Sequence, residues 1–181
     1  FLDWLLASEL YGAELDRRNN HSTQAVALAL ALALFVGDGR LAERLAVEAS
    51  TIVEAQVADD GRQPAELARP RSFFYSGFNL MAMLQVAELA RCCDIDLLGG
   101  ASPLRRAVDA LLPALVDPDT WPNPGPEPTD RGRHGELLAR VADALPDEPR
   151  YVEALRTSDR APRADDSIWI ELGRDPEDWT D

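Results

Sequence analysis

A chain of 181 residues can bury a real core, and an apolar content of 46% marks it as globular rather than disordered. Its net charge is −14 and it holds no lysine, all 18 basic residues being arginine, which argues against the basic face that nucleic acid requires. Cys92 and Cys93 are the only cysteines. Adjacent cysteines seldom pair and two at this spacing make no metal site, so they are expected as small buried residues near a helix end. The sequence opens at Phe1 inside an amphipathic pattern, without an initiator Met or a signal peptide, which leads us to expect a fragment or a processed chain.

Residues 1–16 carry Leu2, Leu5, Leu6, Leu10 and Ala13 at helical spacing. Arg17, Arg18, Asn19, Asn20 and His21 then introduce an unbroken apolar run from Ala25 to Val36. Ala favours helix over strand, and Leu at every second position covers all sides of a helix, so a helix over 22–36 buried all round is expected. The run is too short to span a bilayer, which needs about 20 residues. Gly37-Asp38-Gly39 stops it. Two amides, an imidazole and two guanidinium groups at the start of a buried helix suggest an anion site, because the first N–H groups of a helix lack partners. The bland alternative is that Asn20 only caps the helix.

A third helix is expected over 40–58, with apolar Leu41, Leu45, Ile52 and Val53 opposite a charged face. Residues 62–75 look like a loop punctuated by Pro64 and Pro70. A mostly apolar helix follows over about 76–92, and another over 103–116, with Pro103 in its first turn and Pro113 bending or ending it. Residues 117–133 form a Pro-rich surface loop, extended and polyproline-like through Pro118, Pro122, Pro124, Pro126 and Pro128. Two short helices, about 134–145 and 148–157, precede an acidic tail over 158–181, in which Ser167 to Leu172 gives the one strand signal. His134, after the Pro-rich loop, is taken as a surface residue. The expected class is all-α, built from antiparallel helix pairs within a single domain, 1–181. Gly-rich phosphate loops, Cys/His metal spacing and serine nucleophile elbows are absent, so no metal or cofactor is called for.

Three stretches carry the chemistry: Asn19-Asn20-His21, Asp60-Gly61-Arg62-Gln63-Pro64, and Arg71-Ser72-Phe73-Phe74-Tyr75-Ser76-Gly77-Phe78-Asn79-Leu80. In this order and spacing they resemble the alginate lyase family, polysaccharide lyase family 5 and its relatives, over residues 15–95. The resemblance implies part of an (α/α) toroid that cleaves 4-linked polyuronate, mannuronate-rich alginate above all, by β-elimination. It implies a periplasmic or secreted setting, an acidic polysaccharide as partner, and neither nucleic acid nor membrane. Asn20, His21 and Tyr75 match the family's catalytic Asn, His and Tyr, and Arg71, or in second place Arg69, matches its arginine. Arg17, Arg18, Arg69 and Asn79 are the candidates for binding substrate. The sequence departs from the family at Ser22-Thr23-Gln24-Ala25, where aromatic and acidic residues are usual, and at Phe74, where His is common. It is also about half the family's usual length, leaving open a non-catalytic toroid remnant that binds acidic polysaccharide.

The residue types suit the reaction. The proton on C5 of a uronate is weakly acidic while the neighbouring carboxylate is charged. Asn, His and Arg can neutralise that carboxylate, with preorganised electrostatics as the main effect and Arg suited to bidentate grip. A phenol beside arginines is favoured as phenolate and can take and return protons. Each residue also has a plain structural reading: Tyr75 as a half-buried core phenol, the arginines as solvated or paired with carboxylates.

Overall fold

In the computed structural model, residues 1–122 and 131–158, with 162, 168 and 172–174, are described. Among them the order is α1 (Leu2–Ala7), α2 (Glu9–Leu15), α3 (Asn20–Phe35), α4 (Gly39–Gln56), α5 (Pro64–Leu67), α6 (Ser72–Arg91), α7 (Pro103–Val116), a 3-10 turn (Pro118–Thr120), α8 (Arg131–Ala144) and α9 (Pro149–Thr157). No strand occurs among the described residues; Ile168 and Leu172, in the stretch expected as a strand, are helical. No described helix is long and apolar enough to cross a membrane.

The core lies where α3, α4, α6 and α7 pack. From α3 come Val26, Ala27, Ala29, Leu30 and Ala33; from α4, Leu41, Ala42, Leu45, Ala46, Ala49 and Val53; from α6, Leu80, Met83, Leu84, Val86, Ala87 and Ala90. Ala42, Ala46 and Ala49 follow helical spacing and are fully buried, and such small side chains let neighbouring helices approach closely. α3 is not buried all round: Leu28 and Phe35 are exposed, because α1 and α2 cover only part of its outer side.

Several boundaries depart from the sequence reading. Residues 1–16 break at Ser8, whose hydroxyl accepts the Tyr11 N–H at 3.1 Å and so caps a second helix. The 62–75 stretch holds α5, opened by Pro64 in its first position, and α6 begins at Ser72, so Tyr75 lies within its first turn. α7 runs through Pro113 to Val116. The Pro-rich stretch opens with a 3-10 turn rather than extended chain; 123–130 lie outside the described residues, as does most of the acidic tail. Cys92 is exposed and Cys93 half-buried, since both fall just past the end of α6. His134 is buried, its ring centroid 4.5 Å from that of Phe73, which Trp121 also packs at 5.2 Å. The Trp121 indole N–H donates to Ser72 Oγ at 3.0 Å, pinning the first turn of α6 from outside.

Gly61 shows why the α4–α5 connection needs glycine. Its φ is +79°, and a Cβ there would lie 2.1 Å from the carbonyl oxygen of Arg106 on α7. The chain therefore turns tightly against α7 before it re-enters at α5.

Candidate active site

The first turn of α3 spends its backbone donors locally. Asn19, not Asn20, is the cap: its side-chain oxygen accepts the His21 N–H at 3.0 Å, and its carbonyl accepts from Ser22 at 3.0 Å. The Asn20 N–H donates to Glu66 Oε1 of α5 at 2.7 Å. The helix terminus therefore offers no run of free N–H groups to an anion, and the anion site expected from backbone position alone is already filled by protein acceptors. What remains for a ligand is the side chains.

Glu66 is the residue the sequence reading missed. It is fully buried, and burial pushes its carboxyl above the usual range, while the Asn20 N–H, the Arg69 guanidinium and His21 pull the other way. Its Oε2 has no hydrogen-bond partner, and neither has Asn20 Oδ1, also buried. Glu66 thus joins α3 to the arginine that follows one turn later. Arg69 carries its guanidinium carbon 3.7 Å from the ring centroid of Tyr75, a cation–π contact. Glu66 is thus bonded to Asn20 and feels the charges of Arg69 and His21, and Arg69 in turn covers Tyr75. Arg71 goes elsewhere, onto the ring of Phe74 at 4.3 Å. Phe74 meets Tyr75 edge-on at 5.1 Å and stacks with Phe78 at 6.0 Å.

His21 is held by a second missed carboxylate. Its Nδ1 lies 2.6 Å from Glu14 Oε2, and the other oxygen of Glu14 pairs with Arg17 at 3.3 Å. Glu14, Asn20 and His21 line a pocket of about 410 Å³ whose walls include Trp4, Leu10, Leu28 and Phe78. Tyr75 stands one turn of α6 before Phe78 and is not part of that lining. Arg18, at φ +50°, lines a separate pocket with Asp16, Ser22 and Glu48.

Asn79, a candidate for binding substrate, is fully buried. It donates to Gln56 Oε1 at 2.7 Å and to Gln63 Oε1 at 2.8 Å. Gln56 donates to Ser22 and Thr23 of α3, each at 3.0 Å, and Gln63 to the Ser76 carbonyl at 3.1 Å. This amide network ties the first turns of α3 and α6 to each other through α4 and the α4–α5 loop. It gives Gln63 and Asn79, both within the stretches singled out in the sequence, a structural role. Among the described residues, no group of three or more His, Cys, Asp or Glu could hold a metal ion.

The family model for alginate lyase matches residues 1–121, the span that contains the whole of this arrangement. The chain belongs to the alginate lyase family. A crystal structure of an alginate lyase from Bacteroides ovatus matches this alginate lyase family chain with a TM-score of 0.79 at 24% identity, covering 94% of this chain and 46% of that one. The likeness is one of fold: the helix pairs form part of the helical toroid of alginate lyases. The chain spans just under half the length of that relative. No curated protein matches it.

Proposed function

We propose that the chain carries the catalytic residues of a polysaccharide lyase that cleaves 4-linked polyuronate, mannuronate-rich alginate in the first place, by β-elimination. The observation that carries this reading is the pairing of two contacts, the Asn20 N–H on Glu66 and the Arg69 guanidinium over the Tyr75 ring, in a chain of the alginate lyase family. The substrate is an acidic polysaccharide met in a periplasmic or secreted setting.

In this mechanism Asn20 and His21 grip the uronate carboxylate, so that charge from C5 can spread onto it. Where the C5 proton and O4 leave from one face, as in mannuronate, Tyr75 takes the proton as phenolate and returns one to O4. Where they leave from opposite faces, as in guluronate, His21 is the base and Tyr75 the acid. Contact geometry favours Arg69 over Arg71 as the arginine of the site, since Arg69 covers the Tyr75 ring and Arg71 lies over Phe74. Asn79 then supports the site from behind, and Arg17 reaches substrate only alongside its bond to Glu14.

The test is the rise in ultraviolet absorbance from the unsaturated uronate product, measured on alginate, polymannuronate, polyguluronate and glucuronan. A rise on polymannuronate is expected. The departure from the family at Ser22-Thr23-Gln24-Ala25, next to His21, favours a second reading as a non-catalytic helical-toroid module that binds acidic polysaccharide. Binding with no absorbance rise on any of the four polymers would establish that second reading and end the first.

A further inference from the structure

We propose that Glu14 is a positioning residue for His21: it fixes the ring in the Nδ1–H form and leaves Nε2 as the nitrogen that works in the pocket. The two side chains come from different helices, and the contact is short, 2.6 Å from Nδ1 to Oε2. An ionised carboxylate has no proton to give, so the proton in this bond belongs to the ring. In a neutral imidazole one nitrogen donates and the other accepts, and the bond made by the first decides the state of the second. Nε2 therefore holds the lone pair. The side chain of His21 is 40% exposed and lines the same pocket as Glu14, so Nε2 is the ring nitrogen left for a ligand.

Glu14 is itself held. Its second oxygen pairs at 3.3 Å with Arg17, one helical turn on, a partly exposed pair that adds a secondary brace. The cap by Asn19 on the His21 N–H fixes the backbone from which the ring projects. Backbone and ring are thus anchored by separate groups, and the ring has one orientation available. The consequence for chemistry is definite. A neutral His21 accepts a proton at Nε2, and a charged His21 presents an Nε2–H to a carboxylate, while Glu14 balances the charge on the far side.

The inference rests on the lyase reading for its effect on turnover, but not for the state of the ring, and the two can be measured apart. Nitrogen-15 correlation spectra of the imidazole rings, recorded on the intact chain at a pH where they are neutral, report which nitrogen carries the proton. There are two histidines, and His21→Ala identifies the signals of His21. We expect the Nδ1–H form in the native chain, its retention in Glu14→Gln, whose amide oxygen can still accept, and a change to mainly Nε2–H in Glu14→Ala. Arg17→Ala, which breaks only the bracing pair, should leave the form of the ring unchanged. On polymannuronate, Glu14→Ala should lower kcat by about 10- to 100-fold with little change in KM, the usual scale for groups that orient a functional histidine. A native ring in the Nε2–H form, or one indifferent to Glu14→Ala, overturns the proposal. A native ring in the Nδ1–H form in a chain that turns over no polymer leaves the pairing intact and removes the lyase reading alone.

Discussion

Two polar clusters, one partly exposed and one buried, are built on different terms in this molecule. At the α7–α9 contact, the Tyr151 hydroxyl donates to Asp109 at 2.6 Å and accepts from Arg150 at 2.8 Å, while Arg105 pairs with Glu148 at 2.6 Å. The phenol and both carboxylates there have partners, and the cluster staples one helix to the next. Around α3, α5 and α6 the same kinds of group are left partly unmatched: Glu66 Oε2, Asn20 Oδ1, Ser76 Oγ and Asn79 Oδ1 are buried without partners. Unmatched buried acceptors cost stability. The first cluster leaves one buried group, Arg105 Nε, without a partner and the second leaves four, and that difference is what the proposed active site would draw on.

The sharpest way to break the comparison is to touch Tyr75, the proposed reacting group beside the open cluster. Tyr75→Phe keeps the ring under Arg69 and removes only the hydroxyl, so helix content by circular dichroism should be unchanged and oligosaccharide binding nearly so. Turnover should fall by about 10²- to 10⁴-fold, the range for loss of an acid–base group, or further where one tyrosine serves both roles. Near-native turnover in a folded Tyr75→Phe would remove Tyr75 from proton transfer. Next in size is the hinge that brings Glu66 into place. Gly61→Ala forces a side chain into a φ of +79° against the Arg106 carbonyl, and should cost about 3 kcal/mol or more, read as a lowered midpoint in urea. An unchanged midpoint would mean that the α4–α5 turn does not press on α7 in solution.

Glu66 separates charge from hydrogen bonding. Its carboxyl is pushed up in the folded chain, so the folded state holds the proton more tightly than the unfolded one. That contribution to stability is present in acid and lost as pH rises through the folded value, above which the ionised group is a net burden. Glu66→Gln keeps an acceptor for the Asn20 N–H and should be as stable as the native chain at neutral pH, or more stable by on the order of 1 kcal/mol, a gain that shrinks in acid. Glu66→Ala should lose about 1–3 kcal/mol. A Gln variant that unfolds like the Ala variant would assign the carboxylate to structure alone.

The smaller effect belongs to the closed cluster. Burial pushes Tyr151 up to about 12, helped by its bond to Asp109, and burial with the nearby charge of Glu48 takes Tyr11 to about 12. Both are raised, so their contribution is complete below the ordinary tyrosine value and is lost between about pH 10 and 12. Each should account for about 1–2 kcal/mol of that loss. Tyr151→Phe should flatten the alkaline limb of a stability–pH curve; an unaltered limb would show that Asp109 does not hold the phenol's proton.

Much of the fold could be seen beforehand because it rests on local pattern. The apolar spacing of α4, the Gly37 stop and the proline start of α7 are short-range signals, and helix ends fell within a few residues of them. The misses share a different cause. Ser8 interrupts a spacing that continues through it, and only the hydroxyl bond to Tyr11 reveals the break. His134 is buried and packs on Phe73, far earlier in the sequence. Asn79 and Glu66 are polar residues whose letters are the same in solvent or core; what distinguishes them is contact with Gln56, Gln63 and Asn20. The stretches that pointed to the family were legible as motifs, whereas the division of labour within them, between Arg69 and Arg71 or between Asn79 and Asn20, needed three-dimensional contact.

The bond from the Asn20 N–H to Glu66 also bears on how the molecule breathes. Amides in the first turn of a helix ordinarily exchange with solvent quickly, having no partner to release. This one is bound by a side chain 46 residues further along, on a helix of four residues. Its proton can exchange only when α5 lifts from α3, whatever the rest of α3 is doing. In deuterated water, therefore, the Asn20 amide should be protected out of proportion to its position and should lose that protection in Glu66→Ala, making it a natural clock for the opening of the floor beneath His21.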